Sequence, residues 1–171
     1  MTTKQALPVK QLSLEAFQEF GTYAPLTPPT ATPLVAGDII SFWPDCGGVL
    51  TLGPSGSNQL SIGICQVKWR ELKVDVCEYH TSTGEGILPL DGDIYLHVGR
   101  PTGDDTVPVD GLEIFYVPKG TVVLLKPGVW HHAPFAANPG ETVNTVILLP
   151  QRTYANDCIV RTLETPVAFG E

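Results

Sequence analysis

The stretch "ELKVDVCEYHTSTGEGILPLDG" (residues 71–92) places ionisable side chains at the end of an apolar run. Side chains alternate between the two faces of a strand. Three alternate apolar residues mark one face of 71–80: Leu72, Val74 and Val76. Glu78 and His80 continue that face, which predicts that both point inward and that Cys77 points outward. Burying an unpartnered ionisable pair costs several kcal/mol, so we expect a cation, a hydrogen-bond network or a ligand beside them.

Outward from this stretch, the chain is divided by its 17 glycines and 16 prolines into short apolar runs. These runs predict strands at 38–43, 48–52, 59–67, 71–80, 86–90, 93–99, 112–118, 121–125, 142–149 and 158–163. No helix separates them, so they cannot form parallel strands with helical crossovers. The pattern therefore predicts an all-β jelly-roll barrel, which hides most sheet edges.

The N-terminal segment predicts one short helix. Ser13 can cap it, and Leu14, Phe17 and Phe20 recur at a spacing of three on one side. Gly21 is placed to end the helix. The proline- and threonine-rich residues that follow indicate an extended arm. We therefore expect one domain over 1–171, with the helix and arm at 12–36 and the barrel at 38–165.

Composition and charge exclude several classes of function. The 171-residue chain carries a net charge of −8, which argues against nucleic-acid binding because that needs clustered Lys and Arg. No apolar stretch approaches the roughly 18–20 residues that span a bilayer, and the N-terminus lacks a signal-peptide core. The sequence predicts a cytoplasmic protein with no membrane partner, whose four cysteines are reduced and mostly buried.

Two further patterns in the chain resemble the motifs of cupins, which are small jelly-roll barrels. The first cupin motif is HxH, three or four residues, Glu, six residues and Gly. Here Glu78-x-His80 precedes Glu85 and Gly92 at that spacing, with glutamate replacing the first histidine. The second motif is matched from Gly120 to His131, with its proline shifted by one position and with Phe135 in place of its final asparagine. The resemblance implies a cupin-type barrel with its site inside.

The same resemblance implies a set of metal ligands. His80, Glu85 and His131 would supply two histidines and one carboxylate, with Glu78 as a fourth ligand. Such a set suits a divalent transition metal, namely zinc, manganese, iron or nickel, with open positions for substrate. Metal-free cupins use this pocket for acid–base chemistry, so that alternative stays open.

Several segments resemble the ureidoglycolate lyase family more closely. They are the helix and arm near the start, "CEYH…ILPLDG", "KPGVWHHAPFA" (126–136) and the ending "NTVILLPQRTYANDCIVRTLE" (144–164). The family position matching Glu85 is usually glutamine, and a basic residue is common near Asp91, so this pocket is more acidic. The resemblance implies cleavage of ureidoglycolate, a small-molecule substrate, to glyoxylate and urea, and cupins are usually homodimers.

For that reaction we expect acid–base roles for His80, His131, Glu85 and His132, since groups near neutrality suit it. Three further residues are candidates for substrate binding: Lys126, Arg152 and Trp130. Lys126 or Arg152 would hold the substrate carboxylate, whereas packing at the barrel mouth is the commoner role for Trp130. Two alternative functions are another metal-dependent cupin enzyme, of the isomerase or dioxygenase type, and a non-catalytic small-molecule-binding barrel.

Two other histidines fall on faces that turn away from the predicted centre. In 93–99, Ile94, Leu96 and Val98 take the inner face, so His97 is predicted to face outward and to lie outside the site. His132 follows His131 directly, so strand alternation turns it away unless a bulge intervenes.

Overall fold

The computed structural model describes residues 6–53 and 57–170. The elements are β1 (Val9–Gln11), α1 (Leu14–Phe17), β2 (Gly21–Pro25), β3 (Val35–Ala36), β4 (Ser41–Phe42), β5 (Leu60–Lys68), β6 (Lys73–Tyr79), β7 (Glu85–Pro89), β8 (Ile94–Val98), a 3-10 turn (Val109–Gly111), β9 (Glu113–Val117), β10 (Thr121–Leu125), β11 (Phe135–Ala136), β12 (Thr142–Pro150), α2 (Thr153–Asn156) and β13 (Ile159–Ala168). No helix in these ranges is both long and apolar enough to cross a bilayer.

Two sheets face each other across a shared core. One has the strand order β2-β10-β7-β12-β5, and the other has the order β1-β9-β8-β11. Single bridges from Gly99 to Trp130 and from Glu78 to His131 join β8, the 130–131 segment and β6. The core between the sheets contains Ile87 and Ile147 from one and Phe115 from the other. This two-sheet connectivity confirms the predicted all-β jelly-roll barrel.

The N-terminal helix forms where it was predicted but is only one turn long. The Ser13 hydroxyl accepts a hydrogen bond from the Ala16 amide at 3.1 Å, as a cap should. Phe17 and Phe20 are buried, whereas Leu14 is 75% exposed, so the predicted apolar side excludes Leu14. The prediction that Gly21 ends the helix is wrong, because α1 ends at Phe17 and Gly21 is the first residue of β2. A Cβ at Gly21 would lie 1.9 Å from the Leu124 carbonyl oxygen. Only glycine allows these two strands to approach so closely.

The predicted strand at 48–52 is wrong. This segment forms no strand. It packs against the turn that follows β6, where the Gly84 amide donates a hydrogen bond of 2.9 Å to the Thr51 carbonyl oxygen. The predicted strand at 38–43 shrinks to β4, which pairs only with β3 in an exposed hairpin. Both runs are apolar yet lie outside the barrel, so hydrophobicity alone mispredicted them.

A second apolar cluster packs on the outer face of the β8–β9 sheet. Its buried members include Val74, Cys77, Trp130, Phe135 and Phe169. The outward prediction for Cys77 is therefore wrong as regards exposure, since this side chain is fully buried. The paired strands β6 and β13 and the C-terminal Phe169 cover this face, so both faces of the sheet are buried.

The prediction for His97 also needs correction, because His97 lies on the same covered outer face of the sheet. Its neighbours Leu96 and Val98 face the inner core as predicted, but His97 is only 1% exposed and its ring meets Phe135 at 6.1 Å between centroids. Neither ring nitrogen has a hydrogen-bond partner among the described residues. Burial lowers the His97 pKa to about 3, which keeps the ring neutral.

The apolar face that was expected to lead to the site does not run unbroken along β6. Leu72 and Val74 pack in the outer cluster, whereas Glu78 and His80 are inward. The pairing of β6 with β13 shifts register between Thr162 and Val167, and such irregularities increase local twist. Glu78 and His80 do point inward as predicted. The alternation of apolar residues along β6, from which this was predicted, does not extend to Leu72 and Val74.

The cysteines are free in the described residues, as predicted, but only Cys77 is buried. Cys46 is exposed, and Cys65 and Cys158 are half-buried.

Two aspartates brace the turn between β7 and β8, and we expect them to make stability depend on pH. Asp91 accepts the backbone and side-chain N–H groups of Asn144, and Asp93 accepts the Lys119 amide and the Tyr116 hydroxyl. These hydrogen bonds lower both pKa values. Their stabilisation is complete above the unfolded pKa of about 3.9 and is lost as pH falls through the lower folded pKa.

We therefore expect Asp93→Asn to lower Tm at pH 7 and to have an effect that shrinks as pH falls below about 4. Thermal melts of both proteins across this range measure it. A Tm difference that stays constant with pH would contradict the assignment.

Candidate active site

Four buried ligand-type side chains converge inside the barrel mouth. Glu78 comes from β6, His80 directly follows that strand, Glu85 begins β7, and His131 lies between β10 and β11. One ligand atom from each residue lies within 4.8 Å of all the others. The structure thus brings together the four residues that the sequence predicted as metal ligands.

Backbone hydrogen bonds hold the two halves of this cluster in register. The Glu78 amide donates to the His131 carbonyl at 2.6 Å, and the His131 amide donates back to Glu78 at 2.8 Å. The Gly128 amide also donates to the His80 carbonyl at 2.7 Å. Gly128 has φ = +81°, a left-handed conformation that glycine adopts without strain. The turn at residues 126–128 therefore positions His131 beside Glu78 and His80.

Both histidines have the same orientation. The Nδ1 atom of His80 lies 2.6 Å from the Asp157 carbonyl oxygen, and that of His131 lies 2.8 Å from the Val129 carbonyl oxygen. A carbonyl only accepts, so each Nδ1 carries a hydrogen and donates. Each Nε2 atom then faces Glu85 Oε2, at 2.9 Å from His80 and 3.1 Å from His131.

The charges of the cluster depend on one another. Burial alone would raise the Glu85 pKa, but the charges and hydrogen bonds of His131 and His80 outweigh it and lower the pKa to about 2. Burial likewise opposes charge on His131, but Glu85 and, more weakly, Glu78 raise its pKa above the ordinary value. Glu85 is therefore an anion that favours positive charge on its neighbours.

This donor set fits a transition metal. With Nδ1 protonated, the neutral rings direct two lone pairs toward the same carboxylate oxygen, an arrangement that requires protons or a cation between them. Two imidazole nitrogens and a carboxylate are borderline ligands suited to zinc, iron, manganese or nickel. The Nδ1–H···O=C bonds are the outer contacts that orient metal-binding histidines. The residues present therefore fit the predicted metal.

A cavity of about 130 Å³ is lined by residues of β5, of β12 and of the segment that includes α2. Its lining includes Cys65, Ile147, Leu149, Arg152 and Tyr154. Ile147 pairs with Ile87, which shares the face of Glu85 two residues earlier. Glu85 and the cavity-lining residue Ile147 therefore lie on the same inner face of the sheet. The cavity has room for a small molecule.

Arg152 and Tyr154 both line this cavity. Arg152 is a non-glycine residue with φ = +69°, directly before α2. Left-handed strain of this kind is concentrated at functional sites. The Tyr154 ring meets His80 edge-on, with 6.3 Å between centroids. Of the predicted substrate-binding residues, Arg152 is the one that lines the cavity.

The other sequence candidates lie elsewhere. Lys126 is exposed, and its Nζ donates to the Gln18 carbonyl beside the N-terminal helix. Trp130 is fully buried in the outer cluster, where its ring meets Tyr79 at 4.5 Å and its Nε1 donates to Thr102. His132 is half-buried and is absent from the four converging residues.

Three residues near the C-terminus contribute to the site without having been singled out. Asp157 holds His80 through its carbonyl, and its carboxylate accepts four hydrogen bonds from Thr81 and Ser82. The Cys158 thiol donates to Glu78 Oε2 at 3.3 Å. Tyr154 completes the set. The ending that resembles the lyase family contains all three, but only the fold shows that they reach the cluster.

Comparison with known proteins gives one family and two structural likenesses. A family model described as ureidoglycolate lyase matches residues 4–169. No curated protein sequence matches the chain. A dTDP sugar isomerase from Desulfovibrio desulfuricans is 18% identical, with a TM-score of 0.41, over 68% of this chain and 74% of that one. RmlC from Streptococcus suis, solved with dTDP-D-xylose, is 13% identical, with a TM-score of 0.34, over 54% and 44%. Neither structural likeness is close enough to support an inference.

Proposed function

The chain belongs to the ureidoglycolate lyase family, an enzyme family with small-molecule substrates, and from that premise we propose that it cleaves ureidoglycolate to glyoxylate and urea. The observation that carries this proposal is the convergence of His80, His131 and Glu85, together with a cavity of about 130 Å³ whose lining residue Tyr154 meets the His80 ring. The cluster supplies acid–base groups, and the cavity admits a substrate of only a few heavy atoms.

The chemistry needs a base for the carbinol hydroxyl. Loss of that proton lets the C=O bond of glyoxylate form as the C–N bond breaks and urea departs. Glu85 and the Nε2 atoms of His80 and His131 are the acceptors at the cluster. Their burial excludes bulk water, which strengthens electrostatic effects on the proton transfer.

A divalent transition metal fits the same cluster, and when bound it would polarise the substrate hydroxyl or carboxylate as a Lewis acid. Glu78 is placed to join the three central ligands, and Cys158 orients it through the thiol hydrogen bond. The backbone of Asp157 and that of Val129 keep both histidines aimed at the centre.

Arg152 is positioned to receive the substrate carboxylate. Arg152 lines the cavity, and a guanidinium pairs with a carboxylate through two parallel hydrogen bonds. No ion pair of Arg152 occurs within the described ranges. The guanidinium is therefore available to an anionic substrate in a chain that is otherwise strongly acidic.

We expect Arg152→Ala to raise the KM for ureidoglycolate by about 10–100-fold, since a charge-assisted hydrogen bond contributes roughly 1.5–3 kcal/mol. The change in kcat should be smaller. Initial rates over a range of substrate concentrations measure both constants. Arg100→Ala is the matched control, because Arg100 is also exposed but pairs with Glu19. An unchanged KM in Arg152→Ala would contradict this role.

The direct test of the proposal is glyoxylate release from ureidoglycolate by purified protein. Release well above the spontaneous rate supports the proposal. Release at only the spontaneous rate, from folded and metal-supplied protein, would reject it.

A metal-dependent cupin enzyme of another reaction type is the second candidate. The specific observation in its favour is the pair of carboxylates, Glu78 and Glu85, in one buried cluster, since this acidity favours a cation over an anionic ureido acid. Stoichiometric manganese, iron or nickel together with no lyase activity would select it.

We also propose a homodimer that forms through β5. This strand is the edge of its sheet, and its outward residues Leu60, Ile62 and Ile64 are 49%, 69% and 63% exposed. An apolar edge strand is suited to pairing with another chain. Light scattering should give twice the chain mass, and Ile62→Lys should reduce it to one chain.

A further inference from the structure

The two histidines of the cluster obtain their Nδ1 partners in different ways. His131 donates to the carbonyl of Val129, two residues earlier in the same turn, at 2.8 Å. His80 donates to the carbonyl of Asp157, which lies 77 residues further along the chain, at 2.6 Å. A partner in the same turn is near its ring whenever that turn forms, whereas a partner from a distant segment must be held in place by other contacts.

The Asp157 side chain makes those contacts. Its Oδ1 atom accepts hydrogen bonds from the Thr81 amide at 2.7 Å and the Thr81 hydroxyl at 2.6 Å. Its Oδ2 atom accepts the Ser82 amide at 3.0 Å and the Ser82 hydroxyl at 2.7 Å. Hydrogen bonds to a carboxylate are stronger than those between neutral groups. One residue thus binds three consecutive residues, 80–82, through its carbonyl and its carboxylate.

Strand pairing does not by itself fix the Asp157 carbonyl. The ladder between β6 and β13 ends at the pair Tyr79–Ile159, so Asp157 lies beyond it. Its φ of −152° is extended, but its ψ of 57° is not, and this turns the carbonyl out of the direction that it would have in a strand. The carboxylate is therefore the group that anchors this carbonyl to the turn beside His80.

That turn is itself attached to the barrel. The Gly84 amide donates to the Thr51 carbonyl at 2.9 Å, and the Thr83 hydroxyl donates to the same oxygen at 3.2 Å. The carboxylate of Asp157 therefore binds a fixed part of the fold, and the position of the carbonyl follows from it.

Without this carbonyl, the His80 ring has two competing arrangements. The ring can turn over about χ2, which moves Nε2 away from the centre of the cluster. Alternatively, Nε2 can carry the hydrogen and donate to Glu85, in a charge-assisted bond. In both arrangements Nε2 no longer directs a lone pair at the centre, where a base or a metal ligand needs it.

We propose that Asp157 is a positioning residue for His80: its carboxylate, bound to Thr81 and Ser82, fixes the carbonyl that accepts Nδ1–H and so keeps Nε2 directed at the centre of the cluster. Asp157 does not touch the substrate in this role and acts only through His80. The expected effect on turnover rests on the proposed lyase function, whereas the position of the ring hydrogen does not depend on it.

The first readout is the Nδ1 hydrogen itself, followed by 15N-edited proton NMR of Asp157→Ala. Each histidine should give one hydrogen-bonded Nδ1–H resonance in the parent protein, and loss of one resonance in His80→Asn and in His131→Asn assigns them. We expect Asp157→Ala to lose the His80 resonance and to keep that of His131. The His131 ring is the internal control, because its partner Val129 belongs to its own turn.

The second readout is the kinetics of glyoxylate release. We expect Asp157→Ala to lower kcat by about 10–100-fold, as is typical when an outer contact of a ligating histidine is removed, with KM nearly unchanged. Asp157→Asn keeps one oxygen for Thr81 but presents an amide N–H to Ser82, so its loss should be smaller. Asp93→Ala is the matched control: Asp93 also accepts a backbone amide and a hydroxyl, but away from the cluster, and it should leave kcat and both resonances unchanged.

Four results would overturn the inference. They are a His80 resonance that persists in Asp157→Ala, the loss of both histidine resonances, a raised KM with an unchanged kcat, and an equal fall of kcat in Asp93→Ala. If Asp157→Ala does not fold, Asp157→Asn decides, and an unchanged kcat and His80 resonance there would reject the role. A parent protein that releases no glyoxylate rejects the lyase function alone, because the NMR comparison still tests Asp157.

Discussion

Replacing His131 or His80 by asparagine should lower kcat/KM for ureidoglycolate by about 10³-fold, within the range expected for loss of an acid–base or metal-ligating group. Asparagine places an amide N–H close to the position of Nδ1, so the hydrogen bonds to the Val129 and Asp157 carbonyls can persist. What disappears is Nε2, the atom that lies 3.1 Å or 2.9 Å from Glu85 Oε2. Steady-state rates of glyoxylate release measure the effect.

His132→Asn provides the comparison within the same segment. His132 is adjacent to His131 in sequence but absent from the converging group, so we expect its kcat/KM to stay within about tenfold of the parent. Far-ultraviolet circular dichroism and Tm should confirm that all three variants fold. A His132→Asn loss equal to that of His131→Asn would show that the reactive centre extends to the opposite face of this segment.

Supplying one divalent transition metal should raise Tm by about 5–10 °C. A ligand at one hundred times its dissociation constant stabilises the native state by about 2.7 kcal/mol, and each kcal/mol shifts Tm by about 2–4 °C in a domain of this size. The physical reason is local: an ion would sit among two imidazole nitrogens and the Glu85 carboxylate, replacing the protons that now compensate that buried anion. Thermal melts with zinc, manganese, iron(II) and nickel measure the shift.

The matched variant for this measurement is the doubly substituted His80→Asn/His131→Asn chain. It keeps the carboxylates of Glu78 and Glu85 but lacks both Nε2 atoms, so its metal-induced shift should fall to about 1 °C or less. Magnesium is the matched ion, since it prefers oxygen ligands and should give little shift in either protein. Equal shifts in the parent and the double variant would place the metal elsewhere on this acidic chain.

The fold was predictable because its strands are punctuated by glycine and proline and because both sequence motifs keep their spacing. What strand alternation could not reveal was a second layer. Cys77 and His97 occupy outward positions in the alternation, yet both are buried, because β13 and Phe169 return from the far end of the chain to cover that face. Alternation assigns a side chain to a face, but the packing of distant segments decides whether solvent reaches it.

The convergence of the four candidate ligand residues was predictable for a related reason, since two motifs set their spacing in the chain. The cavity-side residues were only partly predictable. Arg152 was recognised from its charge. Nothing in the sequence marks Tyr154 and Cys158 as site residues, and only the fold, which places α2 and the start of β13 next to the cluster, brings them there. Lys126 was an equally plausible carboxylate ligand by charge, but its Nζ is directed to the Gln18 carbonyl.

We propose that Glu78, His80, Glu85 and His131 form a metal-dependent lyase centre. The most direct test is to strip the protein with a chelator and titrate metal back while glyoxylate release from ureidoglycolate is followed. We expect little activity without metal and a linear rise that saturates at one ion per chain. Full activity in the metal-free protein, or none at saturation with any of the four metals, would contradict it.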